Sequence, residues 1–126
     1  MAIAITLKQY LDDRHVPYEV MIHDRTSTAR ETARRCEIPS SCLAKAVLMR
    51  DDRGYIVAVL PASCQVDRKR LEAFLNRPVE MASEEEAARL FRDCERGALP
   101  AIGEAYGIDT VVDERLDGVP EVWIEG

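Results

Sequence analysis

The chain has 126 residues, of which 47% are hydrophobic and 32% are charged, and its formal net charge is −6. That length and composition predict one folded domain over residues 1–126 and argue against a disordered chain. The negative charge argues against a generic nucleic-acid binder, so DNA is not an expected partner. No apolar run approaches the roughly 20 residues of a membrane span, and no signal peptide is recognisable, so the expected location is the cytoplasm.

Apolar spacing and capping signals predict an alternation of short helices and strands. Helices are expected over residues 6–15, 29–36, 68–76 and 84–92. Strands are expected over residues 18–23, 43–50, 55–60, 79–82, 110–112 and 119–125. Thr6 and Asp67 are candidate N-caps, and the spacings Thr28-x-x-Glu31 and Ser83-x-x-Glu86 are typical of capping boxes at helix starts.

The clearest supersecondary element is a hairpin. Two apolar runs, residues 43–50 and 55–60, are joined by the turn sequence Asp-Asp-Arg-Gly, and we expect them to pair as central antiparallel strands. Strands elsewhere in the chain are separated by helices. The predicted fold is therefore an α/β (α+β) single domain with a mixed, mostly antiparallel, twisted sheet surrounded by helices.

Lys45 is the first candidate functional residue, because it interrupts the apolar run LAKAVLM. A lysine within a central strand is costly unless its amine reaches water, an acid or a ligand. From periodicity alone, the more common explanation is structural: the stem lies along the sheet and the ammonium reaches solvent.

Two further candidates are a loop and a histidine. The segment Gly97–Gly103 contains two glycines and a proline, and its backbone N–H groups could hold an anion or a developing oxyanion; a plain turn is the alternative. His23 follows a predicted strand, where it could act as a general base or substrate contact, although a surface histidine is commoner.

The spacing of the cysteines and the distribution of charge limit the kinds of site that the chain is expected to contain. None of the four cysteines forms a C-x-x-C pair, so neither a zinc site nor a redox motif is expected. Residues 1–50 carry 8 basic and 6 acidic residues (+2), and residues 51–126 carry 9 and 17 (−8). A basic face from Arg25, Arg30 and Arg34 and ordinary solvated charge are both compatible with this distribution.

The order of these features resembles the YbaK / prolyl-tRNA-synthetase-associated editing domain family over almost the whole chain. The helix sequence TARETARRCEI, the strand lysine in LAKAVLM and the apolar text at Val57–Pro61 carry the resemblance. A helix ending in Leu-Asn before Pro78 and the Gly97–Gly103 loop complete it. The most specific element is the separation between the strand lysine and the loop.

The resemblance implies trans-editing, which is hydrolysis of the ester between a wrong amino acid and the 3′ end of a mischarged tRNA, without metal or cofactor. It implies that Lys45 is the characteristic functional residue and that backbone N–H groups of Gly97 and Ala98 hold the oxyanion. An aminoacyl-tRNA synthetase is an expected partner. The substrate-binding positions that it implies are His23, Thr28, Leu99, Pro100, Gly103 and Gly126.

The chain departs from the family pattern in two places. Ala101 stands where the family usually has proline, and the family usually continues past the glycine that matches Gly126. Either the chain is truncated there or it lacks the last part of the pocket. Two alternatives to an enzyme therefore remain: a non-catalytic tRNA- or nucleotide-binding module of the same fold, and a regulatory domain that uses the acidic residues 51–126.

Overall fold

A computed structural model describes residues 4–21, 28–94 and 99–125. The helices found there are α1 (Ile5–Asp13), α2 (Ala29–Arg35), α3 (Arg68–Leu75) and α4 (Glu84–Leu90). The strands are β1 (Leu43–Asp51), β2 (Gly54–Pro61), β3 (Glu80–Met81), β4 (Asp109–Val112) and β5 (Trp123–Ile124). Two short 3₁₀ helices cover Gly103–Tyr106 and Glu114–Leu116.

The five strands form one mixed sheet in the order β3-β1-β2-β4, and β5 also pairs with β1. The pairs β1–β2 and β1–β3 are antiparallel, while β1–β5 and β2–β4 are parallel. The predicted hairpin is confirmed, with Lys45 opposite Leu60. Both of its strands have further neighbours, so the hairpin lies at the centre, and the predicted fold class is confirmed.

The sheet buries apolar side chains on both faces because successive strand residues point in opposite directions. One face, called the Val57 face here, carries Ala44, Leu48, Val57 and Val59, which pack with Phe91 beyond α4. The other, called the Ala58 face, has two clusters. The first combines Met49 and Ala58 with Val79, and the second combines Leu43 and Ala62 with Ala33 of α2.

Local sequence signals account for the helix starts at α2, α3 and α4. The Thr28 side chain accepts the N–H of Glu31, and Asp67 accepts the N–H of Arg70. Ser83 and Glu86 form the complete capping box. Thr6 is a wrong prediction as an N-cap: α1 begins at Ile5, and the Thr6 amide instead donates to Asp93 at 2.7 Å.

Two predicted strands differ in the structure. Residues 18–21 form no strand and are exposed, while residues 22 and 23 lie outside the described residues. The alternation of Tyr18 and Val20 therefore does not mark a buried face. The strand predicted over 119–125 shortens to β5, since Pro120 has no N–H to pair and residues 120–122 are exposed.

A partly buried ionic cluster holds α4 against the hairpin. Glu86 accepts hydrogen bonds from the Tyr55 hydroxyl at 2.6 Å and from the Arg50 guanidinium at 3.2 Å. The pKa of Glu86 is lowered to about 2, first by the backbone N–H of Ser83 and then by Tyr55. The carboxylate is thus held ionised as part of the fold.

Candidate active site

Lys45 lies on β1 between Leu43 and Val47, and the strand alternation directs its side chain to the Ala58 face. Its side chain is half-buried, and among the described residues it makes neither a hydrogen bond nor an ion pair. Burial lowers the pKa of Lys45, the positive charge of Arg30 lowers it further, and Cys64 acts in the opposite direction. The positive charge of Lys45 is therefore partly buried and has no acidic partner among the described residues.

Arg30 and Cys64 act electrostatically on Lys45, and Ser63 and Arg115 are linked to these two residues by hydrogen bonds. Arg30 of α2 donates to the backbone carbonyl of Ser63 at 3.0 Å. Arg115 donates to the Cys64 sulfur at 2.8 Å. Ser63 and Cys64 belong to the turn that follows β2, which is closed by a hydrogen bond from Cys64 N–H to Pro61 O at 2.9 Å. We call these five residues, Arg30, Lys45, Ser63, Cys64 and Arg115, the Lys45 cluster.

The sequence pattern predicts only part of this cluster. Lys45 is predicted as the centre and Arg30 as part of a basic surface, whereas no pattern indicates a role for Cys64 or Arg115. The hairpin register pairs Ala44 with Pro61, so the residues just after Pro61 had to approach the start of β1. No local signal marks Arg115, because its contact with Cys64 spans 51 positions.

The described part of the predicted loop lies on the opposite face from Lys45. Leu99 and Ala101 pack against the cluster of the Val57 face, and Pro100 is fully buried. The predicted approach of Lys45 to the loop therefore gains no support from residues 99–103. For Gly97 and Ala98, which lie outside the described residues, it stays a prediction.

Gly103 is buried where no larger residue fits. A methyl group at its Cα would come within 2.6 Å of Thr110 Oγ1 and 2.8 Å of Val57 Cγ2. The glycine therefore allows close packing of the 3₁₀ helix against β2 and β4, which is a structural role. The contact of Gly103 with substrate stays a prediction.

The remaining predicted site residues divide into two groups. Thr28 is exposed at the start of α2, on the helix that also carries Arg30. His23, Arg25 and Gly126 lie outside the described residues, and their assignments stay predictions. Within residues 4–21, 28–94 and 99–125, no cluster of histidine, cysteine or acidic side chains could hold a metal ion.

Asp93 ties the segment before the loop to α1. It accepts hydrogen bonds from the Thr6 N–H and the Tyr106 hydroxyl, each at 2.7 Å, and Tyr106 also lies 3.1 Å from the Cys94 sulfur. Burial alone would raise the pKa of Asp93, but these hydrogen bonds lower it to about 2. Burial raises the pKa of Cys94, so these groups are suited to anchoring and not to proton transfer or nucleophilic attack near neutral pH.

An apolar groove of about 250 Å³ lies on the side of the sheet opposite Lys45. Its lining includes Ala46, Leu48, Met81, Phe91 and Leu99. Leu99, a predicted substrate contact, therefore faces an apolar space and not the Lys45 cluster.

None of the described helices is both long and apolar enough to cross a bilayer.

Residues 23–126 match the aminoacyl-tRNA editing domain family, and the chain belongs to this family. Among curated proteins, none matches the chain significantly. The fold is shared with a candidate trans-editing enzyme for prolyl tRNA synthetase, with a TM-score of 0.81, 22% identity and coverage of 95% of this chain and 77% of that one.

Two other solved structures have the same fold. A computationally designed epitope scaffold matches with a TM-score of 0.80 and 19% identity, covering 96% of this chain and 77% of its own. A candidate signal transduction protein from Marinobacter aquaeolei VT8 matches with a TM-score of 0.69 and 24% identity, covering 94% of this chain and 23% of its own. At these identities the likeness concerns the fold alone, and in the last case the fold is one part of a longer chain.

Proposed function

We propose that this protein hydrolyses the ester between a wrongly attached amino acid and the 3′ end of a tRNA. Membership of the editing family supports this reaction class. The observation that carries the proposal for this chain is Lys45, a half-buried ammonium with no acidic partner among the described residues, standing beside Arg30. An uncompensated cation in such a place favours an anionic or strongly polarised ligand.

The chemistry requires little from the protein beyond positioning and charge. Water adds to the ester carbonyl, the carbonyl oxygen becomes an oxyanion, and the ribose oxygen leaves with a proton as the free amino acid is released. Lys45 stabilises the negative charge or holds the tRNA end, and backbone N–H groups of Gly97 and Ala98 are proposed as the oxyanion donors. A free ribose hydroxyl of the substrate orients the water, since no protein base is assigned.

Such a reaction is needed because a synthetase cannot reject every similar amino acid at the binding step. A synthetase pocket discriminates against a smaller amino acid by only about 1–3 kcal/mol per missing methylene, so a separate hydrolytic site must remove the product of misacylation. The proposed substrate is therefore a mischarged tRNA, and the proposed partner is an aminoacyl-tRNA synthetase. The proposed location is the cytoplasm.

The test is a panel of tRNAs mischarged with labelled small amino acids. The wild-type protein is expected to release the amino acid from at least one of them, and Lys45→Ala is expected to abolish release while keeping the thermal midpoint. Lys69→Ala is the matched control, because Lys69 is an exposed lysine on α3.

Full activity of Lys45→Ala on a confirmed substrate would overturn the mechanism. Binding of tRNA without release from any member of the panel would support the non-catalytic binding module instead.

A further inference from the structure

The Lys45 cluster contains three cationic side chains, which is more positive charge than is required to stabilise the oxyanion of one ester carbonyl. Arg30, Lys45 and Arg115 come from a helix, a strand and a 3₁₀ helix, and all three adjoin the turn that holds Ser63 and Cys64. In the described part of the chain, no carboxylate pairs with Arg30 or Lys45. Asp113, at 3.8 Å, and Glu114 face Arg115, so the uncompensated charge lies on the side of Arg30 and Lys45.

The arrangement suits a phosphate group. Guanidinium groups present several N–H donors in a plane, and an ammonium adds a compact charge, so together they can bind the oxygens of one phosphate from different sides. The turn after β2 supports this geometry, because Arg30 is held by the Ser63 carbonyl and Arg115 by the Cys64 sulfur.

We propose that Arg30, Lys45 and Arg115 form a phosphate-binding site over the Ser63–Cys64 turn, which takes the phosphodiester on the 5′ side of the esterified nucleotide. This inference rests on the proposed function, because that phosphodiester is the anion nearest to the ester in the tRNA. It assigns Arg30 and Arg115 to substrate binding, beside Lys45.

The first readout uses Cys64 as a probe in the unaltered protein. The rate of alkylation by anionic iodoacetate, divided by the rate with neutral iodoacetamide, reports the local potential, because the thiolate fraction cancels in the ratio. Cys36 is the matched control, since it is also half-buried but has Glu125 as its charged neighbour. Peptide mass spectrometry measures both sites in one sample.

We expect the ratio at Cys64 to exceed that at Cys36 by about threefold or more, as one to two nearby cations would produce. Inorganic phosphate, added at constant ionic strength, is expected to lower the ratio at Cys64 and leave Cys36 unchanged. Equal ratios at the two cysteines, or a Cys64 ratio that phosphate does not change, would overturn the site.

The second readout is the salt dependence of tRNA binding. Loss of one phosphate contact on single-stranded RNA lowers the slope of log K against log salt by about 0.7 in magnitude. We expect this change in the double variant Arg30→Gln/Arg115→Gln. The double variant Arg53→Gln/Arg68→Gln is the control, since it removes the same charge from two exposed positions. Arg53 lies in the hairpin turn, about 20 Å along β1 from Lys45.

The two proposals fail separately. If the protein deacylates tRNA but phosphate does not change the alkylation ratio at Cys64 and the double variant does not change the salt slope, the phosphate site is rejected and the editing function is retained. Phosphate protection of Cys64 without hydrolysis of any mischarged tRNA would reject the editing function and retain the site.

Discussion

Gly103 provides the sharpest test of how the loop region is built. Replacing it with alanine adds one methyl group 2.6 Å from Thr110 Oγ1, 2.8 Å from Val57 Cγ2 and 3.0 Å from the backbone oxygen of Ile108. Cβ atoms essentially never lie within 3.0 Å of a non-bonded heavy atom, so the first two contacts are too short and the third is tight. Val57 has no exposed surface and the Ile108 oxygen belongs to the backbone, so neither can move away cheaply.

The expected cost follows from these contacts. Overpacking of a buried site costs about 1–3 kcal/mol, and the lower chain entropy of alanine in the unfolded state returns about 0.4–1 kcal/mol. Backbone strain adds nothing, because the described positive-φ glycines are Gly54 and Gly107. The difference spans roughly 0–2.6 kcal/mol with a midpoint of about 1.3 kcal/mol. We therefore expect Gly103→Ala to lower the free energy of unfolding by about 1.3 kcal/mol, which is about 5 °C in thermal midpoint at this chain length.

The assay is thermal and urea unfolding of Gly103→Ala beside Gly118→Ala. Gly118 has no atom near its built Cβ, so its alanine variant is expected to unfold within about 0.5 kcal/mol of wild type. Equal stability of the two variants would refute the packing argument. If Gly103→Ala keeps its stability but loses tRNA binding, the role of Gly103 is close approach to substrate, as the family resemblance implies.

Three further outcomes are expected. Lys45→Arg should deacylate poorly despite keeping the charge, because a planar guanidinium does not replace a compact ammonium in a small pocket; activity equal to wild type would contradict this. The pKa of Glu86 falls from 4.5 to about 2, so its contribution to stability is present above pH 4.5 and is lost as pH falls toward 2. Urea midpoints of Glu86→Gln should therefore decline less over this range than those of wild type or of the exposed control Glu84→Gln; an equal decline would reject the assignment. Asp93→Ala should speed hydrogen exchange of the Thr6 amide, which loses its acceptor, and unchanged exchange would show that Asp93 does not hold α1.

The sequence alone determined the elements whose causes are local. The hairpin follows from two apolar runs and the turn between them, and the starts of α3 and α4 follow from Asp67 and Ser83 with the residues three positions on. The family was also accessible from the order of motifs, and Lys45 stood out because a cation interrupts an apolar strand.

The tertiary structure alone decided which distant residues meet. Periodicity predicted a strand over 18–23, but its described part has no pairing partner, and a strand needs one to satisfy its backbone. The contact of Arg115 with Cys64 spans 51 positions, and strand alternation separates Lys45 from residues 99–103. Side-chain neighbours across such distances depend on sheet register and strand order, which result from the packing of the whole chain and leave no mark in any short window of sequence.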